Sequence, residues 1–177
     1  MVVIIVFFYL LLALLGIALT IWRESSRVAF DAFALPTDAW MLPVGASLVI
    51  VLGVHLFFVR AVERWEMFKK SARDIRIWLG DLSEREMLIV SISSALGEEF
   101  FFRGWLLNET GLIISSVIFG LVHLPPNRNW YYWPFFAALM GVCLGSVCLW
   151  TDTLVYAFAI HAGINFLNLR RMAMTKH

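Results

Sequence analysis

Residues Val2–Ile21 read VVIIVFFYLLLALLGIALTI, an unbroken apolar run that ends at Trp22. A hydrocarbon core about 30 Å thick takes roughly 20 apolar residues in helical form, so the run predicts a membrane span. It lacks a basic leading segment and a small-x-small cleavage site, and it is longer than the apolar core of a signal peptide. A retained helix is therefore expected.

The rest of the chain has the same character. Of its 177 residues 61% are hydrophobic and 15% charged, with a mean hydropathy of +0.81. Soluble domains run nearer half apolar and a quarter charged, so the composition excludes a soluble protein. About six spans would consume nearly the whole length and leave no room for a soluble domain. The expected fold is all-α: a polytopic transmembrane helical bundle of about six spans, with one interfacial helix, forming a single integral membrane domain over residues 1–177.

A polar stretch, Arg23–Asp38, separates the first span from a second at Trp40–Val59. Residues Arg60–Gly80 differ in kind. Val62, Trp65, Phe68, Ala72, Ile75 and Leu79 recur every three or four positions, with Arg64, Lys69, Lys70, Arg73 and Arg76 between them. That is a basic amphipathic helix suited to lie against anionic headgroups. Ser83-Glu84-Arg85-Glu86 is a capping box, with Leu82 and Met87 placed as a hydrophobic staple, and it opens a third span from Glu84 to about Leu107. A short fourth segment, Gly111–Leu124, stops at Pro125-Pro126. The fifth, Trp130–Trp150, begins in the cluster Trp130, Tyr131, Tyr132 and Trp133, and the sixth is Leu154–Leu169. Cys143 and Cys148 both fall inside the fifth span, where they read as packing residues and not as a disulfide.

Six spans put both termini on one side. Eleven Lys and Arg residues lie on that side: seven over 60–86, then Arg128, Arg170, Arg171 and Lys176. Only Arg23 and Arg27 lie on the other. The excess predicts an integral membrane protein with both termini in the cytoplasm. The lipid bilayer is one expected partner; nucleic acid is not.

Polar groups inside the spans cost about 2.5–3.5 kcal/mol each on insertion scales, so they persist where they pair or act. Three sets stand out. In the third span, Glu99 and Arg103 are i,i+4 neighbours that can pair, whereas Glu98 projects about 100° away with no local partner. Burial disfavours the charged form of such a carboxylate, which suits it to exchange a proton with water. Phe119 and His123 form the second set. His161 and Asn165, sharing a face on either side of Gly163, form the third. At 1.5 Å per residue, Glu98 lies about 18 Å from Glu86 and His161 about 14 Å from Arg170, depths compatible with one cavity open to the cytoplasm. His55 in the second span reads as a packing hydrogen-bond former.

Glu98-Glu99-xxx-Arg103, Phe119-xxx-His123 and His161-xxx-Asn165 resemble, in order, the EExxxR, FxxxH and Hxxx[N/D] motifs of the CAAX protease and bacteriocin-processing family of intramembrane proteases, relatives of the type II CAAX prenyl endopeptidase. The resemblance covers about residues 83–170, which it implies is the catalytic core. It implies an intramembrane endopeptidase cutting a membrane-associated protein or peptide. Glu98 would activate water with help from His123, His161 and Asn165 would hold the oxyanion, and Glu99 with Arg103 would orient the site. It also implies chemistry without a cofactor. One carboxylate and two histidines could equally hold a catalytic zinc, although the H-E-x-x-H signature is absent and Asn165 is a poor zinc ligand. A proton-coupled carrier and a non-catalytic scaffold or immunity protein are the competing functions; small size and the absence of repeats speak against the carrier.

Overall fold

The computed structural model describes residues 1–23, 34, 40–124 and 131–174. The expected features at Arg27, Asp38, Pro125, Pro126, Arg128, Trp130 and Lys176 lie outside those residues. The described chain is helical throughout and has no strand. It runs α1 (Val2–Arg23), α2 (Met41–Arg64), α3 (Glu66–Leu79) and α4 (Glu84–Glu98), then a π-helical segment (Glu99–Leu106), α5 (Leu107–Val122), α6 (Tyr132–Thr151) and α7 (Val155–Ala173).

Four stretches among the described residues are long and apolar enough to cross a membrane: α1, α2, Glu84–Val122 and α6. α7 does not join them, because His161, Asn165, Asn168, Arg170 and Arg171 make it the polar helix. It packs against α2, α4 and α6, so its polar groups face protein.

Each predicted span is helical, with shifted ends. α2 runs on to Arg64, and a single extended residue, Trp65 (φ −119°, ψ 119°), separates it from α3. The amphipathic helix therefore begins at Glu66, not Arg60, and Val62 belongs to α2. Phe68, Ser71, Ala72 and Leu79 form the buried face of α3, whereas Ile77 and Trp78 are exposed. Gly80 ends it at φ 73°, a conformation glycine adopts without steric cost. The capping box at α4 is complete: the Ser83 Oγ accepts from the Glu86 amide, and the Ser83 amide donates to Glu86 Oε2 at 2.8 Å.

Gly111 (φ 79°, ψ 171°) breaks the long stretch Glu84–Val122 into two legs. The leg after it folds back, setting Phe119 against Phe102 (ring centroids 4.9 Å apart). Residues 112–122 rise only about 16 Å, so the leg ends at His123, beside the middle of the outgoing leg.

Small residues let the helices touch. A Cβ on Gly97 would stand 2.5 Å from the Tyr9 carbonyl oxygen, and one on Gly16 would stand 2.7 Å from the Phe100 carbonyl carbon, so α1 lies backbone against backbone on α4 and the π segment. Gly120 and Gly141 do the same between α5 and α6, meeting Pro134 and Ser116. Between apolar helices in lipid, such close packing supplies the association that water would otherwise drive. Ion pairs tie the two ends: Arg23–Glu109 at 2.6 Å on one, Arg170–Glu84 and Arg171–Glu63 at 2.9 Å on the other. Cys143 and Cys148 are free thiols.

Candidate active site

Glu98 ends α4 and Glu99 opens the π segment, in which each turn holds more residues than in an α-helix. The continuous α-helix expected to Leu107 is thus replaced at the first motif, and π turns recur at functional sites. Glu98, Glu99, Arg103 and His161 are all less than a tenth exposed.

Glu99 is the hub. Its Oε1 accepts from Arg103 Nη1 at 2.9 Å and from His161 Nδ1 at 2.7 Å. The expected Glu99–Arg103 pair is present, and the carboxylate also fixes the ring of a histidine 62 residues away. The Arg103 guanidinium lies 4.3 Å from the centre of the Phe119 ring, a cation–π contact that gives the first residue of the second motif its place.

His123 sits just past the end of α5, where its Nδ1 donates to the Phe119 carbonyl at 2.7 Å. That bond leaves Nε2 as the lone-pair nitrogen of the neutral ring. His123 Nε2 stands 3.8 Å from Glu98 Oε2, and His161 Nε2 stands 3.6 Å from the same oxygen. No hydrogen bond reaches Glu98 Oε2. Three polar atoms from three helices thus surround a gap too wide for direct hydrogen bonds and right for a bridging water.

Asn165 lies one turn beyond His161 and donates through Nδ2 to Ser94 Oγ at 3.1 Å. The second amide hydrogen remains available. All six expected residues therefore meet where α4, the π segment, α5 and α7 converge. His55 is apart from them, hydrogen-bonded through Nδ1 to Asn168 Oδ1 at 3.0 Å, a packing contact between α2 and α7. Gly163 meets Val51 of α2, as its lack of a side chain suggested.

Two neighbours were not anticipated. Ser94 carries Asn165, and Tyr9 of α1 lies with its backbone against Gly97, the residue before Glu98. Tyr9 had a sequence signal: it is a phenol in the middle of an otherwise apolar run, where its hydroxyl needs a partner. Among the described residues, no group of three His, Cys, Asp or Glu side chains stands ready to hold a metal ion. A separate groove of about 440 Å³, lined by Val54, Phe57, Phe68, Tyr132, Phe136 and other apolar residues, offers almost no polar surface.

Residues 85–167 match the family model described as type II CAAX prenyl endopeptidase Rce1-like. Over that segment the chain is similar to the type II CAAX prenyl endopeptidases. The Rce1-like segment spans a little under half of the chain, contains all six expected site residues, and begins after α3. No curated protein and no solved structure matches the chain.

Proposed function

We propose that the chain is an intramembrane endopeptidase in which Glu98 activates a water to cut a peptide bond of a membrane-associated protein or peptide. The observation that carries this reading is the free Glu98 Oε2, facing the Nε2 atoms of His123 and His161 at 3.8 and 3.6 Å. A water held there gives one proton to Glu98 while its oxygen attacks the scissile carbonyl carbon. His123, its Nδ1 tied to a backbone carbonyl, accepts the water's second hydrogen bond and aims its lone pair.

The carbonyl oxygen becomes the oxyanion of a tetrahedral intermediate. His161 is well placed to hold it in its protonated form, since Glu99 accepts from Nδ1 and Nε2–H then faces the gap. The free hydrogen of the Asn165 amide adds a second donor. When the intermediate collapses, Glu98 returns its proton to the departing amine, leaving a carboxylic acid and an amine, which then share the acid's proton as carboxylate and ammonium. Arg103 balances the Glu99 charge in the dry interior. Residues 83–170 form the catalytic core, and the site faces the cytoplasm of a bacterial cell.

The family description makes a prenylated CAAX peptide the first probe. The full chain in liposomes, given a farnesylated, internally quenched peptide ending in a CAAX tail, is expected to cut it, and Glu98→Gln to leave it whole. Absence of cleavage by the unaltered chain of both this peptide and an unprenylated, acyl-anchored one overturns the hydrolase reading. Cleavage by Glu98→Gln at the normal rate overturns the base.

A second reading has a specific observation behind it. Both histidines reach the gap through Nε2 while Nδ1 is held by a carboxylate or a carbonyl, which is how zinc-binding histidines are oriented. Glu98, His123 and His161 do not stand as a ready ligand set, so on this reading they would have to close on the ion, which would supply the activated water.

A further inference from the structure

Hydrolysis consumes a water at each turnover, and Glu98 lies among helices whose outer faces meet lipid. The buried serines mark a route for it. Ser47, Ser71, Ser93, Ser94, Ser115 and Ser116 each donate to a carbonyl three or four residues back on their own helix, the usual way a hydroxyl is satisfied away from water. Ser91 forgoes that bond. It is fully buried, and its Oγ has no hydrogen-bond partner among the described residues. An orphaned hydroxyl in a dry interior is costly, and a bound water is its ordinary remedy.

The packing of α4 on α7 gives that water a second ligand. Glu98 Oε2 faces His161 Nε2 at 3.6 Å, and one turn on Ser94 Oγ accepts from Asn165 Nδ2 at 3.1 Å. Residue numbers fall along α4 as they rise along α7, so the helices run antiparallel and the next rung sets Ser91 opposite Asn168. Asn168 Oδ1 accepts from His55 Nδ1 at 3.0 Å, which leaves the Nδ2 hydrogens unspent. Ser91 is seven residues from Glu98 and Asn168 seven from His161. The outer rung therefore lies about 10 Å from the site, toward the end at which Arg170 pairs with Glu84. We infer that the α4–α7 seam carries water to Glu98, with Ser91 and Asn168 holding a water at its outer rung. That supply role rests on Glu98 being the base; the water at Ser91 rests on the unpartnered hydroxyl.

The test pairs detection of the water with turnover. In liposomes of the full chain, a brief synchrotron X-ray exposure makes hydroxyl radicals from bound waters, and these oxidise the side chains beside them. Met87, buried and one turn from Ser91, is expected to be oxidised in the unaltered chain. Its oxidation is expected to fall several-fold in Ser91→Val, whose methyl groups fill the water's place. No oxidation of Met87 in the unaltered chain, or equal oxidation in Ser91→Val, overturns the water. Should Ser91→Val fail to insert, Ser91→Ala decides. Loss of a water ligand lowers the unfolding temperature by a few degrees, whereas loss of a dry hydroxyl leaves it unchanged or raises it and overturns the water. Turnover of the farnesylated peptide by Ser91→Val is expected to fall several-fold with KM nearly unchanged, because water and not peptide is withheld. Normal turnover with Met87 protected overturns the seam as the route. If the unaltered chain cuts no peptide, the hydrolase reading fails on its own, while Met87 still decides whether water stands at Ser91.

Discussion

Glu99 and His161 are joined at 2.7 Å through a carboxylate oxygen that also takes the Arg103 guanidinium at 2.9 Å. One oxygen thus links the first motif to the third, and the side chain around it is fully buried. Glu99 is consequently a structural carboxylate anchored through Oε1 by two donors, whereas no hydrogen bond reaches Glu98 Oε2, although Oε2 of each acid is buried without a partner. The two adjacent acids differ by their neighbours alone.

Changing Glu98 to Gln keeps the shape and removes the proposed base. Turnover is expected to fall by about 10²–10⁴-fold, the usual worth of general-base catalysis, with the protein still inserted and folded. Peptide cleavage and thermal unfolding in detergent, read on the same preparation, separate the two effects.

Arg103→Ala leaves Glu99 as a buried charge with only His161 to answer it. Breaking a buried pair in this way costs about 3–5 kcal/mol, so a large drop in unfolding temperature is expected as well as lost activity. Glu98→Gln should show no comparable drop. Equal thermal stability of the two variants argues against the hub role of Glu99.

Gly120→Ala places a methyl group 2.6 Å from the Pro134 carbonyl oxygen, which is backbone and cannot swing aside. The α5–α6 contact must open, at about 1–3 kcal/mol for an overpacked site. Gly53→Ala, where a Cβ meets nothing within 4 Å, is the matched control and should be close to neutral. Denaturation midpoints of the pair measure the difference.

Ser94→Ala frees the Asn165 amide without removing it. Turnover is expected to fall several-fold, through an amide that no longer points reliably at the oxyanion, with peptide affinity retained. Asn165→Ala should cost more, about 10²–10³-fold, as for other lost oxyanion donors. A larger loss from Ser94→Ala than from Asn165→Ala reverses that assignment.

Prolonged chelation is expected to leave peptide cleavage intact under the glutamate mechanism. Stoichiometric zinc in the active preparation, lost together with activity and restored with it, selects the zinc reading instead.

Much of this was legible before any coordinates. The apolar runs locate the helices because lipid permits almost no other spanning structure, and Glu98, His123 and His161 are conspicuous because lipid penalises them. What stayed hidden depends on geometry in space. The π segment at Glu99–Leu106 has no propensity signature, since aromatic and charged residues are equally compatible with an α-helix. The break at Trp65 is invisible because the apolar pattern continues across it, serving lipid on one side and the bundle on the other. The bond from Glu99 to His161 and the contact of Tyr9 with Gly97 join helices far apart in sequence, and periodicity reports only which face a residue occupies.

The backbone contact of α1 with Gly97 has a consequence for biogenesis. α1 precedes α4 in the chain, so its partner surface does not exist until α4 has been made, and His161 is translated later still. A partly synthesised chain therefore carries Glu98, then His123, before His161 exists to meet them. The cluster of Glu98, His123 and His161 is therefore complete only when the last of these helices, α7, has been made.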